Sequence, residues 1–297
     1  MRAHALRTAV LCAALFLLLI LFPAYAGEGA RAGLSLCGRV LVPSLLPLMI
    51  LSDLALSPGA AGASPLGMML LSFAGGYPLG ARRVCEAVAA GQISREEGRR
   101  RLRCCCNCGA GFLLGAAGTR LTGSPLTGFA LLGVQMLSAG VLRLLFRGQT
   151  SPGAVSVPAD LPAPSFARSL KKGTEGMLSV CGCAVLFSAL LGVLRGVGFL
   201  ALLRRLHPAA EAVFCGFAEL CCGLEAAAGL ESGPLALAIC SAGCGWGGIC
   251  VHLQTLPFLE GAGYALRDYL PGKALQGLLC FVLALGLFSL PFFEGMW

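Results

Sequence analysis

Apolar residues occupy this chain in long blocks, and charged residues gather at the borders of those blocks. Ala9–Gly27, Gly33–Ser57, Leu121–Leu142, Gly176–Leu194 and Ala274–Phe293 each approach or exceed about 20 residues, the length a helix needs to cross a bilayer. Gly33–Ser57 holds Arg39 toward one end, Asp53 toward the other, and Pro43 and Pro47 inside. The pattern predicts an all-α, multi-pass membrane fold.

Two blocks do not fit a simple span. Leu54–Ala81 and Ser232–Leu259 carry no charge at all, and as continuous helix each would run about 42 Å against a hydrocarbon core of about 30 Å. Both contain clustered glycines: Gly75, Gly76 and Gly80 in the first, and Gly243, Gly245, Gly247 and Gly248 in the second. In the first, Tyr77 and Pro78 follow directly. Both blocks are therefore expected to break. Unwound backbone at membrane depth is tolerated only where it is buried in protein or lines a wet cavity.

The breaks resemble one another. Ser72–Pro78 aligns with Ser241–Gly247, each offering a serine, a small residue two places on, then glycine and an aromatic ring. Upstream, "MILSDLAL" from Met49 is similar to "VLFSALLG" from Val185. Between the halves, Gln149–Ser165 carries Pro152, Pro158, Pro162 and Pro164 and reads as an extended linker. The expected organisation is a first transmembrane half (1–148), the linker (149–165) and a second half (166–297). Two related halves, inverted with respect to one another, are a transporter pattern.

Charge sets the topology. Arg82–Arg103 holds seven arginines and three glutamates, which predicts a cytoplasmic surface helix, and Ser94-Arg95-Glu96-Glu97 reads as a capping box. With Arg2 and Arg7 also inside, Ser64–Ala81 must enter and leave on one face as a re-entrant hairpin. The run ending at Ala24-Tyr25-Ala26 reads as an uncleaved first helix, with signal-peptide cleavage as the alternative.

Polar residues inside apolar sequence are candidates for function, because a carboxylate at the bilayer centre costs about 2.5–3.5 kcal/mol on insertion scales. Glu219, flanked by apolar sequence on both sides, should face a cavity or a cation. His252 and Gln254 share one side only if their segment is unwound. Asn107 holds the matching place in the first half. Asp53 is either a relay carboxylate or an interfacial end. The two breaks are expected to meet near the midplane, with Gly76 and Gly245 approaching. Gly75, Gly76, Tyr77, Pro78, Asn107, Glu219, Gly245, Trp246, Gly247, His252 and Gln254 would then line a solute path.

Composition narrows the alternatives. The chain is 57% hydrophobic and 12% charged, where soluble domains carry about 25% charge, so lipid must be the solvent for much of it. The net charge of +8 follows the block borders and forms no aromatic-interleaved groove, which argues against a nucleic-acid partner. Most of the sixteen cysteines lie in apolar runs as small packing residues. The group Cys104-Cys105-Cys106-Asn107-Cys108 lacks paired metal-site spacing and a nearby histidine. Gly243–Gly248 matches a dinucleotide glycine pattern without a βαβ context, so neither a cofactor nor an enzyme is expected.

The motifs "PSLLPLMILSDL" from Pro43, "GGYPLGAR" from Gly75, "GQISREEGRRRL" from Gly91, "GFAELCCG" from Gly216 and "GWGGICVHLQTLPFL" from Gly245 together resemble the sporulation integral membrane proteins of the YlbJ type. That family falls in the nucleoside-recognition, or Gate-domain, group. The resemblance implies a bacterial cell-membrane protein needed for spore formation, with a transporter-like repeat fold. Thiols stand around Asn107 where the family has Ser or Thr, and its usual proline there is absent. The expected partners are the lipid bilayer, a small polar or anionic solute and a coupling ion, with a homo-oligomer or a sporulation partner left open. The competing expectation is a non-transporting scaffold or signalling protein acting through Arg82–Arg103.

Overall fold

The computed structural model describes residues 2–55, 64–148, 165–231 and 233–293, and every regular element among them is helical. In chain order these are α1 (Arg2–Leu21), α2 (Pro23–Leu36), a wide π turn (Cys37–Leu41), α3 (Val42–Ala55), α4 (Pro65–Gly75), α5 (Leu79–Ala89) and α6 (Arg95–Leu102). Next come α7 (residues 110–122, π-helical over Leu113–Gly118), α8 (Pro125–Leu145), α9 (Phe166–Gly196) and α10 (Phe199–Leu206). The chain continues through α11 (Pro208–Ala218), α12 (Leu220–Ala227), α13 (Gly233–Trp246), α14 (Gly248–Gly261) and α15 (Leu266–Phe288). Five stretches are long and apolar enough to cross a membrane: Pro23–Leu54, Pro125–Leu145, Phe166–Gly196, Gly233–Gly261 and Leu266–Phe288. The chain is a multi-pass helical membrane protein.

The expected spans appear with shifted borders. Ala9–Gly27 is not one helix, since α1 stops at Leu21 and α2 starts anew at Pro23. The second span is longer than Gly33–Ser57 because α2 and α3 run on through the π turn. That wide turn lies just before Pro43, whose missing amide leaves the helical ladder one bond short. The proposed linker falls, apart from Ser165, outside the described residues.

Antiparallel packing organises the bundle. Gly29 and Gly33 lie flat against Ser188, Gly192 against the Tyr25 carbonyl, and Gly173 against Ile50. Small residues four apart let two backbones approach closely, so α2–α3 and α9 stay in contact along their length. At one end Asp53 accepts from Arg83 (2.7 Å) and from Ser169 (2.8 Å). Arg99 meets Asp268 there (2.9 Å), and the Tyr264 hydroxyl donates to the Arg95 carbonyl (2.7 Å). The arginines of Arg82–Arg103 thus gather at one end of the bundle.

The segment Arg82–Arg103 is not one surface helix. It divides at a turn where Gly91 takes φ 69°, and its leading portion, α5, is an arm of a hairpin. Ser64 caps α4 by accepting from the Gly67 amide (2.9 Å), with Pro65 in the first turn. After Gly75 the chain reverses: Gly76 takes φ 70° and its carbonyl accepts from the Leu79 amide (2.9 Å). Gly80 then lies against Ser72, which puts α5 beside α4. This first hairpin has both arms at the arginine-rich end.

A second hairpin lies outside both glycine-clustered blocks. It is α11–α12, reversing at Glu219 in extended backbone (φ −144°, ψ 124°), with Gly216 and Gly223 in direct contact across the arms. Ser232–Leu259 does not fold back over its described residues. Gly245 packs on Gln276 and Gly277, α15 runs antiparallel to α13, and Phe258 of α14 reaches Arg82 at the arginine-rich end. One positive-φ pair, Gly247 and Gly248, bends this path without returning it. Gly76 and Gly245 consequently have different neighbours: Gly76 sits on Gly109 and Gly245 on α15.

Candidate functional site

Both hairpin turns meet a break in another helix. Residues 104–109 are non-helical between α6 and α7, and a side chain on Gly76 would fall 3.1 Å from the Gly109 backbone. At the second break, a side chain on Gly248 would fall 3.2 Å from the Ala218 carbonyl and 3.3 Å from the Leu220 amide. Glycine is needed at both contacts, since Gly76 and Gly248 also have positive φ.

A small cavity of about 40 Å³ lies where the two turns converge beside the first break and α14. Tyr77 borders it from the first turn, Glu219 from the second, Cys108 and Gly109 from the first break, and Cys250 and Gln254 from α14. The space suits a water or a small ion rather than a metabolite. The Glu219 side chain is 3% exposed and accepts from the Cys222 amide (2.7 Å), capping the second arm at its helix N-terminus. No arginine, lysine or histidine lies within ion-pair distance of it among the described residues. Gln254 gives its amide N–H to the Cys250 sulfur (3.2 Å), while its buried Oε1 has no protein partner.

Behind Tyr77 lies a dense polar chain. The Tyr77 hydroxyl donates to the Cys244 carbonyl (3.0 Å) and accepts from Lys273 Nζ (2.5 Å). Lys273, fully buried, also donates to the Cys106 carbonyl (2.6 Å) and to Gln276 Oε1 (2.7 Å). Gln276 Nε2 donates to Asn107 Oδ1 (2.6 Å), and Asn107 Nδ2 donates to Ser72 Oγ (2.7 Å) and the Cys104 carbonyl (3.0 Å). The first hairpin, the first break, α13 and α15 are thus bonded into one buried unit.

Several expected site residues have other roles. Asn107 lies in this polar chain and does not border the cavity. His252 and Gln254 project from regular helix, about 200° apart, so they do not share a side. The His252 ring stands edge-on to Trp246 (4.4 Å) and Tyr269 (5.4 Å), and neither of its nitrogens has a protein partner. Trp246 stacks on Phe217 (5.2 Å between ring centres) and donates to its carbonyl (3.2 Å), which braces the second hairpin. Gly247 makes room for the Tyr77 ring, at 3.3 Å from where a side chain would sit, and Gly75 accommodates Leu79. Pro78 caps α5. Asp53, paired with Arg83, is an end lock.

The sequence pattern does not mark Lys273 or Gln276 as site residues, and it marks Ser72 only as the serine of the motif shared with Ser241. Lys273 follows Arg267 and Asp268 closely and reads as the border of an apolar block beginning at Ala274. Its signal was the pair Lys273 and Gln276, three residues apart on one helical face.

Larger openings flank the centre. A cleft of about 740 Å³ away from the arginine-rich end is bordered by Arg39, Arg195, Arg204, Glu211, Glu225 and Cys221. Cys221 also borders the central cavity. A second opening of about 480 Å³, at the arginine-rich end, is bordered by Arg100, Arg101, Arg143, Arg147 and Cys104. Comparison of the chain with family models, curated proteins and solved structures gives no match.

Proposed function

We propose that this protein is a membrane carrier for a small polar or anionic solute, seen in a closed state. The observation that carries the reading is the convergence of two hairpin turns, Tyr77 and Glu219, on one small cavity between larger clefts at opposite ends of the bundle. Backbone groups at such turns and breaks are natural ligands for charged solutes.

The carrier reading extends to an inverted repeat. Its units would be α2–α3 with α9, the first hairpin with the second, α6–α7 with α13–α14, and α8 with α15. Members of each pair run in opposite senses relative to the arginine-rich end. The first hairpin would then be re-entrant from the cytoplasm and the second from the other side. The motif resemblance to YlbJ-type proteins supports a role in spore formation at the bacterial cell membrane.

The test is uptake by liposomes holding the purified chain, using nucleosides, short carboxylates and inorganic phosphate as probes. Accumulation of one probe, reduced at least about tenfold by Glu219→Gln, is expected for a site contact of roughly 1.4 kcal/mol. No accumulation of any probe, with a sporulation phenotype that depends on Arg95–Arg101 charge reversal and not on Glu219, would favour the scaffold.

A further inference from the structure

Lys273 is the unexplained group in this bundle. Its ammonium is fully buried within a span, and no carboxylate lies within ion-pair distance among the described residues. An ammonium has three N–H donors, and here all three are used, on the Tyr77 hydroxyl, the Cys106 carbonyl and Gln276 Oε1. Its charge also lies 4.7 Å from the Tyr77 ring centre. Neutral oxygens from a hairpin turn, a helix break and a neighbouring turn of helix form the kind of nest that would suit a free monovalent cation. This chain fills it with a tethered one.

The bonded groups belong to separate units. Tyr77 is on the first hairpin and Cys106 on the first break, while Gln276 shares α15 with the lysine. Losing the ammonium proton leaves two donors for three acceptors, so the unit loses one bond: either an acceptor of Lys273 is dropped, or the Tyr77 hydroxyl turns its hydrogen to the amine and gives up the Cys244 carbonyl. Lysine, unlike arginine, can release its proton in such a site. The opening at the arginine-rich end reaches Cys104, two residues along the chain from the Cys106 carbonyl that Lys273 holds.

We propose that Lys273 is a proton-binding site that couples protonation to docking of the first hairpin, the proton taking the place of a metal cation as the coupling ion. In the step, Lys273–NH₃⁺ becomes Lys273–NH₂ and the proton passes to water in the arginine-rich opening. The charged form bonds Tyr77, Cys106 and Gln276 into one unit with the Cys244 carbonyl, and the neutral form leaves that unit one bond short. The inference rests on the carrier reading for its purpose, though not for its test.

Other titratable groups face this site. They are Tyr77 from the hairpin, Cys106 and Cys108 from the break, Cys244 from α13, His252 from α14, and Tyr269 and Cys280 on α15 itself. From α8 the near residues are Gln135 and Ser138, which do not titrate. Arg103 at the end of α6 turns its side chain away over Phe146 (4.8 Å).

The cysteines provide a readout that needs no solute. The full chain in lipid nanodiscs is labelled with a membrane-permeant maleimide at a series of pH values, and Cys106 and Cys108 labelling is measured by mass spectrometry against exposed Cys12. Lys273→Arg, always charged, is expected to hold labelling low, and Lys273→Met to raise it by about tenfold through local opening. Wild type is expected to move with pH from the first level to the second. A wild-type profile parallel to that of Lys273→Arg would overturn the proposal and leave a static structural cation. Should both variants misfold, the wild type alone decides. It has three lysines, Lys171, Lys172 and Lys273, so the ε-carbon resonance of Lys273 can be resolved. Its pH midpoint is expected to coincide with that of Cys106 labelling, and no shift over the range where the chain stays folded would end the idea. Absence of solute flux bears only on the carrier reading.

Discussion

The two hairpins share a geometry and differ in chemistry. Each reverses beside a break in another helix, with a positive-φ glycine at the contact, Gly76 on one side and Gly248 on the other. The first turn carries Tyr77 and is tied by a chain of short bonds through Lys273, Gln276 and Asn107. The second carries Glu219, whose carboxylate is held by the Cys222 amide and borders the cavity. One turn is anchored to a lysine built into the bundle, while the other presents a buried carboxyl group to a small cavity. That asymmetry makes the second hairpin the better candidate for contacting a solute and the first the better candidate for control.

The largest change should come from a substitution that treats the hairpins alike. Gly223 touches Gly216 across the second, and Gly80 lies against Ser72 and the Cys105 carbonyl at the first. Valine at either place must push the facing backbones apart, costing about 3 kcal/mol or more. Both variants should lose a cooperative unfolding transition in detergent. A well-folded Gly223→Val would mean that the second hairpin is not closed.

Lys273→Met should come next and should separate the two. It strands the Cys106 carbonyl and Gln276 Oε1 in a buried site, at about 1–3 kcal/mol for each unsatisfied group. The unfolding midpoint should fall, and amide exchange should quicken at Gly76–Leu79 while the Glu219 turn keeps its protection. Equal deprotection of both turns would show that the lysine supports the bundle as a whole.

Smaller and matched effects are expected at the contact glycines. Gly76→Ala and Gly248→Ala each force a side chain into left-handed backbone, at about 1–3 kcal/mol. Similar losses of thermal stability would support a structural equivalence of the two contacts. A loss confined to Gly76→Ala would confine the close fit to the first.

The sequence made some of this comparison readable and hid the rest for physical reasons. Spans were legible because lipid demands long apolar blocks, and the turn at Gly76–Pro78 because glycine and proline have few other uses there. The second hairpin was not, since its arms of 11 and 8 residues are too short for a span and Glu211 and Glu225 interrupt them. The prominent glycines at Gly245–Gly248 mark a bend instead. The first break is made mostly of cysteines, which look like core residues in sequence. Glu219 and Gln254 were legible as polar residues facing a cavity. Lys273 was hidden by neighbours that made it look like the end of a block, and only folding shows it at the centre.

The smallest expected change in stability belongs to Glu219→Gln, and it is the most informative one for function. Glutamine keeps an oxygen for the Cys222 amide and occupies nearly the same volume, so the cap survives with a loss below about 1 kcal/mol. What disappears is the ionisable carboxyl group. If the second hairpin contacts a solute or ion, transport should fall at least about tenfold while the unfolding midpoint stays near wild type. Lys273→Met should give the converse, a large loss of stability accompanied by loss of pH dependence. A Glu219→Gln variant that transports normally would remove the functional difference between the hairpins, leaving the buried carboxylate as a helix cap and nothing more.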